Sequence, residues 1–198
     1  MNSVTEKAKK IKFIITDVDG VLTDGKLNFF PDHKGKIEEF KSFNATDGIG
    51  ARIAVKAGLN IAIITGNAHA TTVYRADVLG FKYIYQGFLN KLEPLKDITK
   101  REKISLDKIA YIGDDLIDLA VMTRVGLAIS PKNAVREAAA AAHYVTKASG
   151  GNGVLREAVE IILKAQGKWT GIVKDLAASG MITIKTPPVA VITSDGAH

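Results

Sequence analysis

The chain has no cysteine. Disulfides, thiolate metal sites, iron–sulfur clusters and thiol nucleophiles are thereby excluded. Long apolar runs are also missing. Stretches such as Ile61 to Ile64 and Val189 to Ile192 fall far short of the roughly 20 residues that a membrane helix needs. Met1 to Lys12 is polar and lysine-bearing with only a short apolar stretch, so no signal peptide is expected, and the expected place is the cytoplasm. Nor is there a concentrated basic stripe. The net charge of +6 is spread along the chain. Its two small clusters, Lys7–Lys9–Lys10–Lys12 and Lys96–Lys100–Arg101–Lys103, read as solvated faces. No nucleic-acid or membrane partner is expected; a small anionic substrate needs only a local field.

What is present is an ordinary globular composition, 46% hydrophobic and 24% charged in 198 residues, enough to bury a core without staples. Strand and helix patterns alternate. Strands are expected at Lys12–Thr16, Asn60–Thr65, Lys82–Tyr85, Ile109–Gly113, Gly126–Ile129 and His143–Thr146. The helices are expected at Asp47–Ala57, Ala68–Leu79, Leu92–Lys103, Leu116–Arg124, Ala134–Ala142 and Val154–Gln166. Lys26–Phe30 and Lys36–Phe40 flank Pro31-Asp32-His33-Lys34-Gly35 and read as a hairpin. Apolar strands separated by helices predict an α/β fold, a doubly wound parallel sheet of Rossmann type covered on both faces.

In such sheets ligands sit at the carboxyl ends of the strands. Four of those ends carry chemistry: Asp17-Val18-Asp19-Gly20, Thr65-Gly66-Asn67, Gln86-Gly87 leading to Lys91, and Gly113-Asp114-Asp115. Carboxylates gathered at one sheet edge without sulfur or histidine favour Mg²⁺. Thr65-Gly66 offers a hydroxyl and open backbone N–H groups near a helix start, a fair phosphate cradle. Acid, cation, hydroxyl and lysine together describe phosphoryl transfer, in which an aspartate can serve as nucleophile.

Asp17-Val18-Asp19-Gly20-Val21-Leu22-Thr23, Ile64-Thr65-Gly66, Lys91 and Gly113-Asp114-Asp115-x-x-Asp118 resemble, in order, the four motifs of the haloacid-dehalogenase-like phosphatases. The resemblance implies that Asp17 is the nucleophile and a Mg²⁺ ligand. It implies that Asp19 is the general acid and then the base, its main-chain carbonyl also binding metal. Asp114 would be the third metal ligand, with Asp115 and Asp118 in support. Thr65 and Gly66 would hold phosphate, and Lys91 would neutralise phosphate and nucleophile.

Phe43-Asn44-Ala45-Thr46-Asp47-Gly48-x-Gly50, Tyr85-Gln86-Gly87, Gly150-Gly151-x-Gly153 and Ala165-Gln166-Gly167-Lys168 resemble a narrower capless branch. Its members hydrolyse the 8-phosphate of an eight-carbon acidic sugar in lipopolysaccharide inner-core synthesis. That branch usually carries a basic residue after Thr-Gly, where this chain has Asn67; a neighbouring branch, acting on nine-carbon acid sugar 9-phosphates, commonly has an acid there. Arg75 matches a basic position of the branch. Asp47 has two readings, a helix cap and a substrate contact.

The segments between Asp17 and Thr65 and between Thr65 and Lys91 are too short for a cap domain, which would leave the site open to water. Either the substrate is macromolecular or other subunits cover the site; the resemblance implies a homotetramer with a central barrel of hairpins and C-terminal segments closing a neighbour's site. Residues 1–169 are expected to form the phosphatase domain, with the hairpin at about 26–41. Residues 170–198 form a tail whose β-rich end, Val189 to Thr193, is either a docked strand or part of a disordered end.

Overall fold

The computed structural model describes residues 3–194. Its main sheet has seven parallel strands. In chain order they are β1 (Phe13–Thr16), β4 (Asn60–Thr65), β5 (Tyr83–Gln86), β6 (Ile109–Ile112), β7 (Leu127–Ser130), β8 (Tyr144–Val145) and β9 (Ala190–Thr193). In space the order is β8-β7-β6-β1-β4-β5-β9. The four residues of β1 are wholly buried, because the strand lies mid-sheet between β4 and β6 with helices on both faces. Their alternation sorts them. Ile14 joins the core formed with α2 (Ala45–Lys56) and α7 (Val154–Ala165). Phe13 and Ile15 join the opposite core with α4 (Leu92–Glu102), α5 (Leu119–Met122) and α6 (Arg136–Ala141). Helix α3 (Ala70–Val78) bridges β4 and β5.

A separate antiparallel pair, β2 (Asn28–Pro31) and β3 (Ile37–Phe40), forms the expected hairpin. The shift of its first strand towards Pro31 costs no ladder hydrogen bond that a two-stranded edge needs. It exposes Leu27, Phe29 and Ile37, each about 60% accessible, together with Phe30 and Phe40. Among the described residues no cap domain covers the sheet edge.

Three local features differ from the sequence reading. A first helix, α1 (Val4–Lys10), is capped by Ser3, whose hydroxyl accepts from Glu6 N. Helix α2 begins at Ala45 under an Asn44 cap, two residues before Asp47. Beyond residue 169 an unexpected helix forms, α8 (Trp169–Ser179), whereas β9 is the docked strand, one of the two readings of the tail, pairing with β5 from Tyr83↔Ala190 onward; of the tail's expected extent, 195–198 lie outside the described residues. No helix among the described residues is long and apolar enough to cross a membrane.

The helix pair α2–α7 closes one face of the core, and Gly50 permits the approach. A Cβ there would stand 2.8 Å from Arg156 Cα. Gly50→Ala is therefore expected to lower stability by about 1–3 kcal/mol through overpacking. Gly171→Ala, in the open first turn of α8 with nothing within 4 Å of the new Cβ, is expected to be neutral or to gain up to about 1 kcal/mol. Urea denaturation of the two variants checks the contrast.

Candidate active site

Segments that follow three strands of the sheet meet around one buried ammonium. Asp17 follows β1, Lys91 precedes α4 after β5, and Asp118 closes the turn after β6. Lys91 Nζ lies 2.6 Å from Asp17 Oδ2 and 2.7 Å from Asp118 Oδ1, and its side chain is inaccessible to solvent. Asp118 is fully committed. Its Oδ1 also accepts from the buried Tyr111 hydroxyl, and its Oδ2 accepts from the backbone N–H groups of Asp114 and Asp115. One carboxylate thus holds both the lysine and the loop that carries Asp114. Asp115 is exposed and caps that turn through Leu116 N.

Glycines set the spacing of these loops. Gly20 has φ 84, and a Cβ there would fall 2.0 Å from Asp114 Oδ2. Only glycine satisfies both the backbone and the carboxylate. Gly150 packs against Gly20 O in the same way, and Gly151 N donates to Val21 O.

The Thr65-Gly66-Asn67 turn leaves the neighbouring strand β4. The Thr65 hydroxyl accepts from Asn67 N at 3.2 Å, and the Gln86 side chain holds His69 N at 2.8 Å. The hairpin reaches over this turn. Asn67 Nδ2 donates to Glu39 Oε2 at 3.3 Å. Lys41, just beyond β3, places its ammonium 2.5 Å from Asp19 Oδ1 and 3.3 Å from Glu39 Oε1. Sequence reasoning missed Glu39, Lys41 and Tyr111. Charged residues on a hairpin otherwise lined with Phe and Ile were the available signal for the first two.

Asp47 and Arg75 take other partners. Asp47 Oδ1 accepts from Arg156 N at 2.9 Å, so this buried carboxylate serves the start of α7 rather than the cap of its own helix; burial pushes its pKa up against those backbone hydrogen bonds. The Arg75 guanidinium donates to Asn44 O and lines a small cavity with Asp47 beneath α2 and α3. One oxygen of Asp47 thus serves a helix N-terminus, while Oδ2 is buried without a hydrogen-bond partner among the described residues.

Burial and like charge govern the electrostatics of the cluster. Burial raises the Asp17 pKa to about 6; Lys91 opposes this and Asp118 adds to it. Asp114 is pushed up to about 7 by burial, Asp17 and Asp118. Burial works against the Lys91 charge, but Asp17 and Asp118 outweigh it and hold its pKa above the ordinary value. Carboxylate oxygens of Asp17, Asp114 and Asp118 lie within 4.8 Å of one another, and Asp114 Oδ1 is buried without a hydrogen-bond partner among the described residues. With Asp118 spent on four donors, Asp17 and Asp114 are the pair left for a hard cation. An orphaned oxygen beside a second raised carboxylate fits Mg²⁺.

This layout is that of the haloacid dehalogenase-like hydrolases, and residues 80–157 match the family model of that description. The 3-deoxy-D-manno-octulosonate 8-phosphate phosphatase KdsC of Escherichia coli K12 is 41% identical over 165 residues, which span 83% of this chain and 86% of that protein. Among solved structures, the phosphatase of that name from Yersinia pestis is 39% identical. It superposes with a TM-score of 0.80 over 85% of this chain and 89% of its own. The Moraxella catarrhalis enzyme, solved with magnesium ion, phosphate ion and KDO, is 40% identical with a TM-score of 0.83, over 89% and 99%. The chain belongs to the 3-deoxy-D-manno-octulosonate 8-phosphate phosphatase family of these hydrolases.

The raised carboxylates give a pH signature. A folded-state pKa above the ordinary 3.8 stabilises the protein below that value, and the contribution is lost as pH rises through about 6 for Asp17 and about 7 for Asp114. Metal-free protein should therefore lose stability between pH 5 and pH 8. Mg²⁺ should raise the melting temperature more at pH 8 than at pH 5. Asp114→Asn should stabilise the metal-free protein at pH 8 and remove most of the Mg²⁺ response. Thermal melts at the two pH values, with Mg²⁺ and with EDTA, check all three.

Proposed function

We propose that this protein is a Mg²⁺-dependent phosphatase that hydrolyses 3-deoxy-D-manno-octulosonate 8-phosphate to the free sugar acid and phosphate, in the cytoplasm, for lipopolysaccharide core synthesis. The observation that carries the reading is the Lys91 ammonium pinned between Asp17 and Asp118 at the open edge of the sheet. Its charge offsets the repulsion between a carboxylate nucleophile and an anionic phosphoryl group. Asp17 Oδ1 accepts from Val18 N at 2.7 Å, which holds the carboxylate at the end of β1.

Asp17 attacks phosphorus, the bond from phosphorus to the sugar oxygen breaks, and Asp19 delivers a proton to that oxygen. Asp19 then takes a proton from water, which attacks the aspartyl-phosphate and releases phosphate, leaving Asp17 as it began. Thr65 and Gly66 hold phosphate oxygens through hydroxyl and backbone N–H groups, beside Asn67. Asp17, Asp114 and the Asp19 carbonyl would hold Mg²⁺, which when bound neutralises charge developing on the phosphoryl oxygens. Asp115 and Asp118 support the loop.

A homotetramer covers the open site in this reading. The exposed apolar side chains of the hairpin are a surface of the kind that a second copy buries. A nine-carbon acid sugar 9-phosphate is the second substrate reading, because Asn67, held by Glu39, is neither the basic residue usual in one branch nor the acid common in the other.

Phosphate release is the first test. With Mg²⁺, the eight-carbon acid 8-phosphate should be preferred over nine-carbon acid phosphates, hexose phosphates, nucleotides and a phosphopeptide. EDTA should abolish turnover. Asp17→Asn should lower kcat at least about a thousandfold with the fold intact by circular dichroism. Preference for another substrate moves the assignment, and turnover by Asp17→Asn ends the assigned chemistry. Phe29→Asp combined with Ile37→Asp should reduce the mass seen by light scattering to that of a monomer.

A further inference from the structure

The general acid of the proposed reaction is gripped by a residue that none of the four motifs contains. Lys41 follows β3, and its side chain is only 3% accessible. A buried ammonium is costly unless it is paired, and this one is paired with two acids: Asp19 Oδ1 at 2.5 Å and Glu39 Oε1 at 3.3 Å. The second is an ion pair without hydrogen-bonding geometry, since Glu39 Oε1 has no hydrogen-bond partner. Glu39 is held in turn by Asn67 through Oε2, and its backbone carbonyl lies 3.0 Å from His69 Nε2. The hairpin is thus tied to the phosphate-cradle turn on one side and to Asp19 on the other.

The bonds to Asp19 fall on one oxygen. Oδ1 accepts from Lys41 and, more weakly, from the Thr23 hydroxyl at 3.4 Å. Oδ2 makes no hydrogen bond among the described residues, and the side chain remains about a third accessible. An acid held through one oxygen presents the other in a fixed rotamer, just as a catalytic base is oriented by a third group.

We propose that Lys41 is a positioning residue for Asp19. Its ammonium, anchored by Glu39, fixes the carboxylate so that the free oxygen serves the departing sugar oxygen. The hairpin thereby completes the site in the absence of a cap domain. This rests on the reading of Asp19 as proton donor given above.

Leaving-group dependence separates positioning from a structural role. A sugar alkoxide needs a proton to depart, whereas p-nitrophenolate leaves without one. kcat/KM reports only the steps through leaving-group release, so the later water attack does not enter. For Lys41→Met, kcat/KM on the sugar phosphate, divided by that on p-nitrophenyl phosphate, should fall at least about tenfold. The sugar phosphate is whichever one in the panel the wild type turns over fastest, so a wrong substrate assignment leaves this test standing. Glu39→Gln, which keeps the ammonium but loosens its anchor, should move the ratio in the same direction by a smaller factor.

Parallel losses on both substrates would mean that Lys41 only supports the fold, and would overturn the proposal. Direct recognition of the substrate is tested by calorimetric titration of the inert Asp17→Asn protein with the same sugar phosphate. Adding Lys41→Met should leave the Kd within about twofold. A tenfold loss of affinity would make Lys41 a ligand contact and would also overturn the proposal.

Discussion

The site depends on one buried charge pairing. Lys91 is held without solvent between Asp17 and Asp118. An unpaired ammonium at that depth would cost several kcal/mol, so each of its partners is a structural necessity as well as a chemical one. Asp118 repays the burial by collecting four donors from three sources: the lysine, the Tyr111 hydroxyl and two backbone N–H groups of the Asp114 loop. The segments beyond β1, β5 and β6 are therefore locked to one another through side chains, although β4 separates β5 from β1 in the sheet. Asp114 is left facing Asp17 with an oxygen that no protein group satisfies. A network that satisfies the lysine so fully creates, beside it, the vacancy in hydrogen bonding that suits a divalent cation.

Around that centre the chain economises on bulk. Gly20, Gly113 and Gly150 each stand where a Cβ would collide with an acidic side chain or a carbonyl of the site. Asp47 anchors the start of α7 from across the helix pair, which holds the Gly150–Gly153 turn against the Asp17 loop. The hairpin reaches over the Thr65–Asn67 turn. It contributes Glu39 and Lys41 on its inner side and leaves aromatic and aliphatic side chains on its outer side. One short element thus joins the reaction centre to a surface suited to other subunits.

The parallel strands were legible because a buried strand has nothing polar to confuse its pattern. Phe13–Thr16 and Asn60–Thr65 differ from their expected spans by one residue at most. The convergence of Asp17, Thr65, Lys91 and Asp114 was legible for a topological reason, since parallel strands deliver their carboxyl ends to one edge. Helices α1 and α8 were not. Each buries only part of one face, so its pattern resembles that of a solvated segment. Asp47 misled because a carboxylate before a helical pattern signals a cap without saying which helix it will serve. Lys41 escaped because its two partners, Asp19 and Glu39, lie on different segments, and a charged residue on an apolar hairpin signals a role without naming its partner. Tyr111 read as one more apolar strand residue, its hydroxyl having meaning only once Asp118 is placed above it.

The position of β1 in the sheet bears on how the chain comes to be folded at all. Phe13 pairs with Asn60 on one side and with Ile109 on the other. The strand that ends at Asp17 thus precedes both of its neighbours in the chain, and it is flanked on both sides only after β6 has been made. Until then the row of backbone groups that faces β6 stands open to competing partners, the condition under which nascent α/β chains associate wrongly. Assembly of the edge that carries Asp17 consequently waits for β6. Substitutions in β6 that leave the finished enzyme sound can still reduce its yield by lengthening the interval during which β1 waits.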